Sequence, residues 1–392
     1  MKYIVLLADG MPDYPIEELG NKTPLEAAHT PNMDFMAREG SVGMVNTVPE
    51  GLPPGSDVCN LSILGYDPKK YYTGRAPFEA ANMGIKLAED DIPFRCNLVT
   101  LSDNGRVMED FSAGHISTDE ASGLIKFLDE RLGNKEFRFY PGKSYRHIMV
   151  WKGGDAELKC TPPHDITGQE IKGYLPQGDR ANSLNDLMNR SQGIIKEYIG
   201  THNGDLKANS IWLWGQGRVP VIPTMKERFG LTGSVIAAVD LMKGIGIFAG
   251  LTPIDVPGAT GYVDTNYEGK AEYALRELKD KDFVYLHVES PDESGHNGSV
   301  ELKVRSIEDF DKRVVGNILK GIKDFPEYRI LLVSDHRTPI SLRTHSSEPV
   351  PFAIYPPVEG IEGGECFSEK VVEKSKFFVP EGHKLIELLL GS

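Results

Sequence analysis

Short apolar runs, each ending in polar or charged side chains, recur near both ends of the chain. Residues 3–8 lead into Asp9, residues 283–288 lead towards Asp292, and residues 330–333 lead into the adjacent Asp335 and His336. Such runs, bounded by turn residues, are typical of central strands in a parallel sheet. Because open α/β sheets carry their chemistry at the carboxyl ends of the strands, the pattern predicts one edge where these side chains meet.

Helical periodicity fills the segments between these runs. Helices are predicted at residues 31–39, 58–64, 270–278 and 301–325, and further strands at 42–48 and 352–355. Thr30, which precedes Pro31, is expected to cap the first of these helices with its hydroxyl. The alternation of strands and helices indicates an α/β fold, with a mainly parallel sheet flanked by helices.

The pattern changes between about residue 90 and residue 258. Shorter strands are predicted there at 94–101, 137–140, 145–151, 210–213 and 235–238, with helices at 181–198 and 240–248. Because ligand-bearing strands lie on both sides of this block, we expect a discontinuous metal-binding core made of residues 1–82 and 259–392. Residues 83–258 are then an inserted α+β cap domain that binds the substrate.

Composition narrows the class of protein. A chain of 392 residues favours two domains, and its formal net charge of −14 argues against general nucleic-acid binding. No apolar run is long enough to span a membrane and no secretory signal is visible, so we expect a cytoplasmic protein without a membrane partner. The four cysteines are widely separated and indicate neither disulfides nor a thiolate zinc site. The sequence carries no signal of the oligomeric state.

The acids and imidazoles after the strands form a candidate ligand set. Its members are Asp9, Asp292, His296, Asp335, His336 and His345. Each alone is equally compatible with a turn cap or a core side chain. Together, carboxylates and imidazoles suit Mn²⁺, Zn²⁺ or Mg²⁺, and six ligands exceed the need of one four-coordinate ion. A pair of ions is a common device for displacement at phosphorus, so the set favours phosphoryl transfer.

Ser56 is the candidate nucleophile. It lies in a turn-rich loop, at or beside the start of the helix predicted at 58–64. A helix N-terminus offers free N–H groups to a phosphate, and a nearby metal ion can lower the pKa of the hydroxyl. The alternative is that Ser56 only caps its helix.

Several motifs together carry a resemblance to a known family. They are Ala-Asp9-Gly-Met, Pro-Gly-Ser56-Asp-Val, Gly-Tyr-Asp-Pro, Tyr-Thr-Gly-Arg75, Pro-Asp292-Glu-Ser-Gly-His296, and Ser-Asp335-His336-Arg-Thr-Pro followed by Thr-His345. Over nearly its whole length the chain resembles the archaeal-type 2,3-bisphosphoglycerate-independent phosphoglycerate mutases of the alkaline phosphatase superfamily. The resemblance implies an alkaline-phosphatase-like core and a reaction that interconverts 3-phosphoglycerate and 2-phosphoglycerate.

The same resemblance assigns roles to the ligand set. It implies that Asp292, His296 and His345 hold one divalent ion, while Asp9, Asp335, His336 and Ser56 hold the other. Ser56 would become a phosphoserine. Mn²⁺ is the first choice of ion, with Mg²⁺, Zn²⁺ or Co²⁺ as alternatives, and 2,3-bisphosphoglycerate is not required. The expected partner is a small phosphorylated metabolite.

Basic residues in or near the matching segments are candidates for substrate binding. Arg75, Arg146, Lys270 and Arg337 are expected to bind anionic groups, as arginine does through bidentate contacts. His115 stands where archaeal relatives typically carry arginine, and Asn60 where the mutases commonly carry histidine. His115 is nevertheless placed among the substrate-binding residues.

These two departures leave the substrate open. Bacterial relatives that are similar in Tyr-Tyr-Thr-Gly-Arg and Ser-Ala-Gly-His have been proposed as homoserine kinases. A phosphatase, a phosphopentomutase and a non-enzymatic metabolite sensor are the remaining alternatives. Two other histidines, His164 and His287, are expected to be a loop residue and a core imidazole.

Overall fold

The computed structural model describes residues 1–202 and 206–391, which form two compact units. One unit consists of Met1–Tyr72 and Val221–Ser392, and the other of Thr73–Pro220. The first unit is therefore discontinuous in sequence. Its boundaries differ from the expected core, because residues 73–82 group with the second unit and residues 221–258 with the first. The strand near residue 235, expected in the insert, pairs instead with a strand of the main sheet.

Strands are numbered here in chain order. They are β1 (Lys2–Ala8), β2 (Ser41–Val45), β3 (Asp91–Ser102), β4 (Val107–Asp110), β5 (Phe137–Lys143), β6 (Arg146–Lys152), β7 (Ser210–Trp214), β8 (Gly233–Ile236), β9 (Thr252–Ile254), β10 (Phe283–Val288), β11 (Tyr328–Val333), β12 (Val350–Tyr355) and β13 (Phe378–Val379).

The first unit is built on an eight-stranded sheet with the order β13-β2-β12-β11-β1-β10-β8-β9. Strand β1 lies between β10 and β11 and is parallel to both, with Ala8 opposite Val288 and Leu7 opposite Val333. This register brings the carboxyl ends of three strands to the same edge of the sheet. Only β12 runs antiparallel to both its neighbours, so the sheet is mainly parallel, as predicted.

Both faces of the three central strands are buried. Ile4, Val5, Leu6 and Leu7 of β1 have no exposed surface, and the apolar residues of β10 and β11 are equally buried. Continuous rather than alternating hydrophobicity is what a parallel sheet covered on both faces requires. The central strands therefore form a rigid base for the loops that follow them.

Helices of the first unit cover this sheet. The α-helices are Pro24–Ala27, Pro31–Glu39, Ser56–Ile63, Pro68–Tyr71, Met225–Phe229, Asp240–Phe248, Tyr267–Asp280, Ser290–His296, Val300–Asp309, Gly316–Gly321, Glu369–Glu373 and Leu385–Leu390. Short 3-10 turns occur at Glu17–Leu19, Ile322–Asp324 and Gly382–Lys384. The helix predicted over 301–325 is not uniform, because a π-helical segment, Phe310–Val315, interrupts it.

The side-chain cap predicted for helix Pro31–Glu39 is wrong. Thr30 precedes Pro31–Glu39 but makes no capping hydrogen bond with its side chain. The carboxylate of Asp311 instead accepts the backbone N–H groups of Asn32 and Met33, at 3.0 and 2.7 Å. Asp311 lies in the π-helical segment, so a residue distant in sequence satisfies the helix N-terminus.

The second unit has an antiparallel sheet of five strands, in which β3 pairs with β4, β6 and β7, and β6 pairs with β5. Its α-helices are Ala76–Asn82, Thr118–Leu132 and Ala181–His202, with 3-10 turns at Pro163–Ile166 and Ile171–Gly173. Helix Thr118–Leu132 was missed in the sequence, although Ser117 and Glu120 form a capping box at its start. Among residues 1–202 and 206–391, no helix is long and apolar enough to cross a membrane.

Candidate active site

The first group of candidate ligands follows β1 and β11. Asp9 comes directly after β1, while Asp335 and His336 follow β11, and all three are almost completely buried. Nε2 of His336 lies 3.4 Å from Asp9 Oδ1 and 3.5 Å from Asp335 Oδ2. The parallel register of the two strands thus produces the predicted meeting of acids and imidazole. We call Asp9, Asp335 and His336 the inner group.

A second group lies beyond β10. Asp292 and His296 belong to the short helix Ser290–His296, and His345 comes from the loop between β11 and β12. Asp292 lies 3.3 Å from His296 Nε2 and 3.4 Å from His345 Nε2. The two histidine side chains are 34% and 22% exposed, whereas Asp335 and His336 are 0% exposed. We call Asp292, His296 and His345 the outer group.

The two groups adjoin each other. Asp292 also lies with Asp9 and His336 in a set whose donor atoms are all within 4.8 Å of one another. The hydroxyl of Thr338 donates to Asp292 Oδ1 and lies 3.3 Å from His336 Nδ1. Thr338, which sequence reasoning missed, therefore connects a ligand of the outer group to one of the inner group.

Hydrogen bonds orient the two histidines of the outer group so that they can bind a cation. Nδ1 of His296 lies 2.9 Å from the carbonyl of Arg343, and Nδ1 of His345 lies 2.8 Å from the carbonyl of Pro54. When each Nδ1–H donates to its carbonyl, both Nε2 lone pairs face Asp292 and each other, only 3.0 Å apart. Such an arrangement of acceptors is stabilised by a positive ion between them.

The inner group fits a cation by its charge. Burial, together with the nearby carboxylates of Asp335 and Asp292, raises the pKa of Asp9 well above its usual range. Its Oδ1 atom is buried without a hydrogen-bond partner among the described residues. Burial lowers the pKa of His336 to about 4, which favours the neutral imidazole that a metal ion binds. Clustered carboxylates in a dry site need positive charge, so the donor set suits divalent ions.

Ser56 lies against the inner group. It is the first residue of helix Ser56–Ile63, with Gly55 as the N-cap, as the loop and periodicity predicted. Its Oγ atom is 3.1 Å from Nε2 of His336. The hydroxyl is therefore beside both a helix N-terminus and the candidate ligands, the two features from which it was singled out.

Lys270 occupies a different environment from the one expected of a substrate-binding residue. Its side chain is 0% exposed and its Nζ atom lies 2.9 Å from Glu289 Oε2 and 2.9 Å from the carbonyl of His287. His287 lies between two carboxylates, with Nδ1 3.2 Å from Glu289 and Nε2 3.2 Å from Asp9. Although burial opposes it, Glu289 and Asp9 raise the pKa of His287 to about 10. Lys270 is thus part of a buried polar layer behind Asp9, and His287, expected to be only a core residue, contacts a candidate ligand.

Arg337 is similarly engaged within the first unit. Its guanidinium donates to the carbonyl of Pro349 at 3.2 Å and to that of Asp13 at 3.4 Å, and forms an ion pair with Glu373 at 3.7 Å. Its backbone pairs with that of Ser346, next to His345. In this structure Arg337 therefore holds the loop that carries an outer-group ligand.

The remaining substrate candidates belong to the second unit. Arg75 lies 2.9 Å from Glu79, and the guanidinium of Arg146 lies 5.3 Å from the centre of the Tyr145 ring. The exposed His115 contacts the same tyrosine, at 6.2 Å between ring centres. Arg75 and Arg146 thus lie in one region with Glu79, whose pKa is lowered by its arginine neighbours although burial opposes this.

A further arginine of this region was not singled out from the sequence. Arg95 is buried, 3.1 Å from Glu79 and 4.5 Å above the Trp214 ring. Burial lowers its pKa to about 10, so it remains a cation at neutral pH. Its position in the long strand β3 gave no turn or motif signal. The unexpected charge within a buried strand was the only sign.

The fold and the two donor groups define an α/β protein with a candidate two-metal centre beside a serine. In sequence, the chain is 52% identical over the full length of both chains to a probable 2,3-bisphosphoglycerate-independent phosphoglycerate mutase of Geobacter sulfurreducens. It is 51% identical to a mutase of the same name from Methanosarcina barkeri, covering 100% of this chain and 99% of the relative. The family model for 2,3-bisphosphoglycerate-independent phosphoglycerate mutase matches residues 37–198. The chain belongs to this family, which confirms the resemblance inferred from the motifs.

Solved structures agree with this assignment. The PH0037 protein from Pyrococcus horikoshii is similar with a TM-score of 0.83 and 29% identity, over 100% of this chain and 96% of that one. A cofactor-independent phosphoglycerate mutase from Thermoplasma acidophilum is similar with a TM-score of 0.66 and 26% identity, over 100% and 99%. The expected α/β fold class is confirmed.

Proposed function

We propose that the protein interconverts 3-phosphoglycerate and 2-phosphoglycerate through a phosphoserine at Ser56, with divalent metal ions and without 2,3-bisphosphoglycerate. The observation that carries this proposal is the position of Ser56 Oγ, 3.1 Å from His336 at the start of a helix. The names of the most similar relatives support the choice of substrate.

Seven side chains would hold the ions. The outer group of Asp292, His296 and His345 would bind one ion, and the inner group of Asp9, Asp335 and His336, with the Ser56 hydroxyl, would bind the other. When bound, such ions neutralise phosphoryl oxygens and lower the pKa of a coordinated hydroxyl. Mixed carboxylate and imidazole donors are compatible with Mn²⁺, which we propose as the preferred ion.

The reaction at Ser56 would consist of two matched transfers. The Oγ–P bond forms as the bond between phosphorus and O3 of 3-phosphoglycerate breaks, and O3 gains the proton that Ser56 loses. The 2-hydroxyl of the bound glycerate then takes the phosphoryl group from Ser56, and the serine regains a proton. The N-terminus of helix Ser56–Ile63 would stabilise the phosphate during both steps.

The substrate also has a carboxylate, which requires cations. The second unit offers Arg75, Arg95 and Arg146, all of which act on the carboxylate of Glu79. Tyr145 adjoins both Arg146 and His115, and these two side chains, Tyr145 and His115, would add hydrogen-bonding groups. We propose that this cation cluster binds the carboxylate, because arginine recognises it with two parallel hydrogen bonds.

Enolase-coupled turnover of 3-phosphoglycerate in Mn²⁺ tests the proposal. Ser56→Ala is expected to reduce kcat by on the order of 10⁴-fold or more, because the attacking atom is lost. Ser62→Ala is the matched control: it removes a buried hydroxyl from the same helix, one without a hydrogen-bond partner among the described residues. A phosphate adduct mapped to Ser56 should appear in the intact protein and in Ser62→Ala only.

Two results would contradict the assignment. Undiminished turnover in Ser56→Ala excludes the covalent mechanism, even if the substrate is right. Formation of phosphohomoserine, with no 2-phosphoglycerate from 3-phosphoglycerate, favours the homoserine kinase alternative.

A further inference from the structure

A chain of hydrogen bonds leads from a buried tyrosine to an inner-group ligand. The Tyr285 hydroxyl donates to Asn60 Oδ1 at 2.6 Å, and Asn60 Nδ2 donates to Asp335 Oδ2 at 2.9 Å. The same Nδ2 donates to the carbonyl of Ser56 at 2.8 Å. Tyr285, Asn60 and Asp335 are all 0% exposed, so these bonds do not compete with water.

The orientation of the Asn60 amide follows from the partners. A backbone carbonyl and an ionised carboxylate can only accept hydrogen bonds, so each N–H of the amide must point at one of them. Oδ1 is then left towards Tyr285, whose hydroxyl is a donor. Every polar atom of Asn60 has a partner in this orientation. In the flipped orientation, Oδ1 would face another acceptor.

The two oxygens of Asp335 are held by different means. Oδ1 accepts the backbone N–H groups of Gly10 and His336, at 3.1 and 2.9 Å. Oδ2, which faces Nε2 of His336 at 3.5 Å, is held by Asn60. The Asp335 oxygen that faces His336 Nε2 thus depends on a side chain, not on the backbone.

We propose that Asn60 is a positioning residue that aligns Asp335 with Ser56, and that the Tyr285 hydroxyl fixes its orientation. The inference rests on the proposed metal centre. Asn60 is four residues after Ser56 on the same helix, so its amide joins the first turn of that helix to the end of β11. Tyr285 lies on β10. The alignment of Asp335 with Ser56 therefore depends on helix Ser56–Ile63, on β10 and on the end of β11. A neutral amide does this without adding a fourth charge to the three carboxylates nearby.

Tyr285→Phe removes only the hydroxyl that fixes the amide. We expect the affinity for one of the two ions to fall about 10-fold to 100-fold, as for other partners of metal ligands. The other ion, bound by the outer group, should be retained with less than about a twofold change. kcat should fall in parallel with the weakened ion, while KM for 3-phosphoglycerate changes less than about twofold, because neither residue is proposed to contact it.

Calorimetric titration of the chelator-treated protein with Mn²⁺ measures both affinities without turnover. Tyr66→Phe is the matched control: Tyr66 is also 0% exposed, and its hydroxyl has no hydrogen-bond partner among the described residues. Asn60→Leu is the second variant, since it keeps the approximate volume of the side chain but removes the donor without adding a charge. It should weaken the same ion at least as strongly as Tyr285→Phe.

The outcomes separate this inference from the proposed function. Two unchanged affinities in Tyr285→Phe would overturn it, as would an equal loss at both sites, which indicates general destabilisation. An unmodified protein that binds no divalent ion would overturn the proposed centre as well. Tyr66→Phe that weakens one ion to the same degree would show that any buried hydroxyl has this effect, and would also overturn it.

Discussion

The inner and outer groups of the proposed centre are built differently although they share one edge of the sheet. The inner group comes from the ends of β1 and β11, and its ligands are almost completely buried. The outer group comes from a seven-residue helix and from the loop between β11 and β12, and its histidines are partly exposed. Position is therefore imposed by the sheet in one group and by loop contacts in the other.

The inner and outer groups also differ in the electrostatics of their carboxylates. In the inner group, burial and neighbouring carboxylates raise the pKa of Asp9, which means that its ionised form is unfavourable without a cation. In the outer group, His296 and His345 lower the pKa of Asp292 although burial opposes this. The inner group thus stores repulsion that an ion relieves. In the outer group, although burial opposes it, Asp292 raises the pKa of His296 to about 9, so a protonated His296 balances Asp292 when no ion is bound. We expect the inner ion to be the more important for both stability and activity.

Of the variants that test this difference between the two groups, Asp9→Asn is expected to have the largest effect. Loss of one inner carboxylate is expected to reduce kcat by about a thousandfold, or about 4 kcal/mol in transition-state stabilisation. In chelator, the same variant should be more stable than the unmodified protein at neutral pH, because the repulsion around Asp9 is removed. Thermal unfolding with and without Mn²⁺, together with the coupled assay, measures both effects.

The pH dependence of that gain follows from linkage. The folded-state pKa of Asp9 is raised above its unfolded value of about 4. Below about pH 4 the carboxyl is protonated in both states and the folded protein has its full stability. That stability is lost as the pH rises through the folded-state pKa. The advantage of Asp9→Asn in chelator should therefore be largest at neutral pH and vanish below about pH 4. A variant that is less stable than the unmodified protein at neutral pH in chelator would show that the inner group is not under repulsion.

Lys270→Met tests the buried polar layer behind the inner group. Removal of one partner of the buried pair leaves Glu289 without its ammonium and should cost about 3–5 kcal/mol in the free energy of unfolding. The matched control is Arg305→Met, whose side chain is 64% exposed and pairs with Asp309 at 3.7 Å. It should cost no more than about 1 kcal/mol. Denaturant unfolding gives both values.

The same variant decides between two roles of Lys270. A positioning role predicts lower stability with little change in KM. A substrate-binding role, as the sequence indicated, predicts a large rise in KM with little loss of stability.

The difference between the two groups also explains which site residues could be predicted from the sequence and which could not. Asp9, Asp335 and His336 could be brought together from sequence, because parallel strands place their carboxyl ends at one edge. The helix position of Ser56 followed from its loop and the periodicity after it. The buried pairing of Lys270 could not be predicted, because its partner, Glu289, is nineteen residues away across a helix and a strand. Thr338, Tyr285 and Arg95 were missed since hydrogen bonds between distant residues leave no periodic trace. The second unit of the structure ends earlier than the expected cap domain, because β8 resembles the short strands of the insert and yet pairs with β10.

Of the three variants Asp9→Asn, Lys270→Met and His345→Ala, the last should have the smallest effect. It also tests the difference between the inner and outer groups most directly. At limiting Mn²⁺ we expect activity to fall at least about a hundredfold, because His345 is itself a proposed ligand and loss of even a ligand's hydrogen-bonding partner costs up to about that much. Asp292 and His296 remain, and water can occupy the vacated position in a partly exposed group. Excess Mn²⁺ should therefore restore most of kcat in His345→Ala but not in Asp9→Asn, where the ligand is lost from a buried group. The control is the exposed His29, whose replacement by alanine should leave the Mn²⁺ dependence unchanged. Restoration of Asp9→Asn by excess Mn²⁺, with none for His345→Ala, would reverse the order of the two groups and show that exposure does not determine which ion is replaceable.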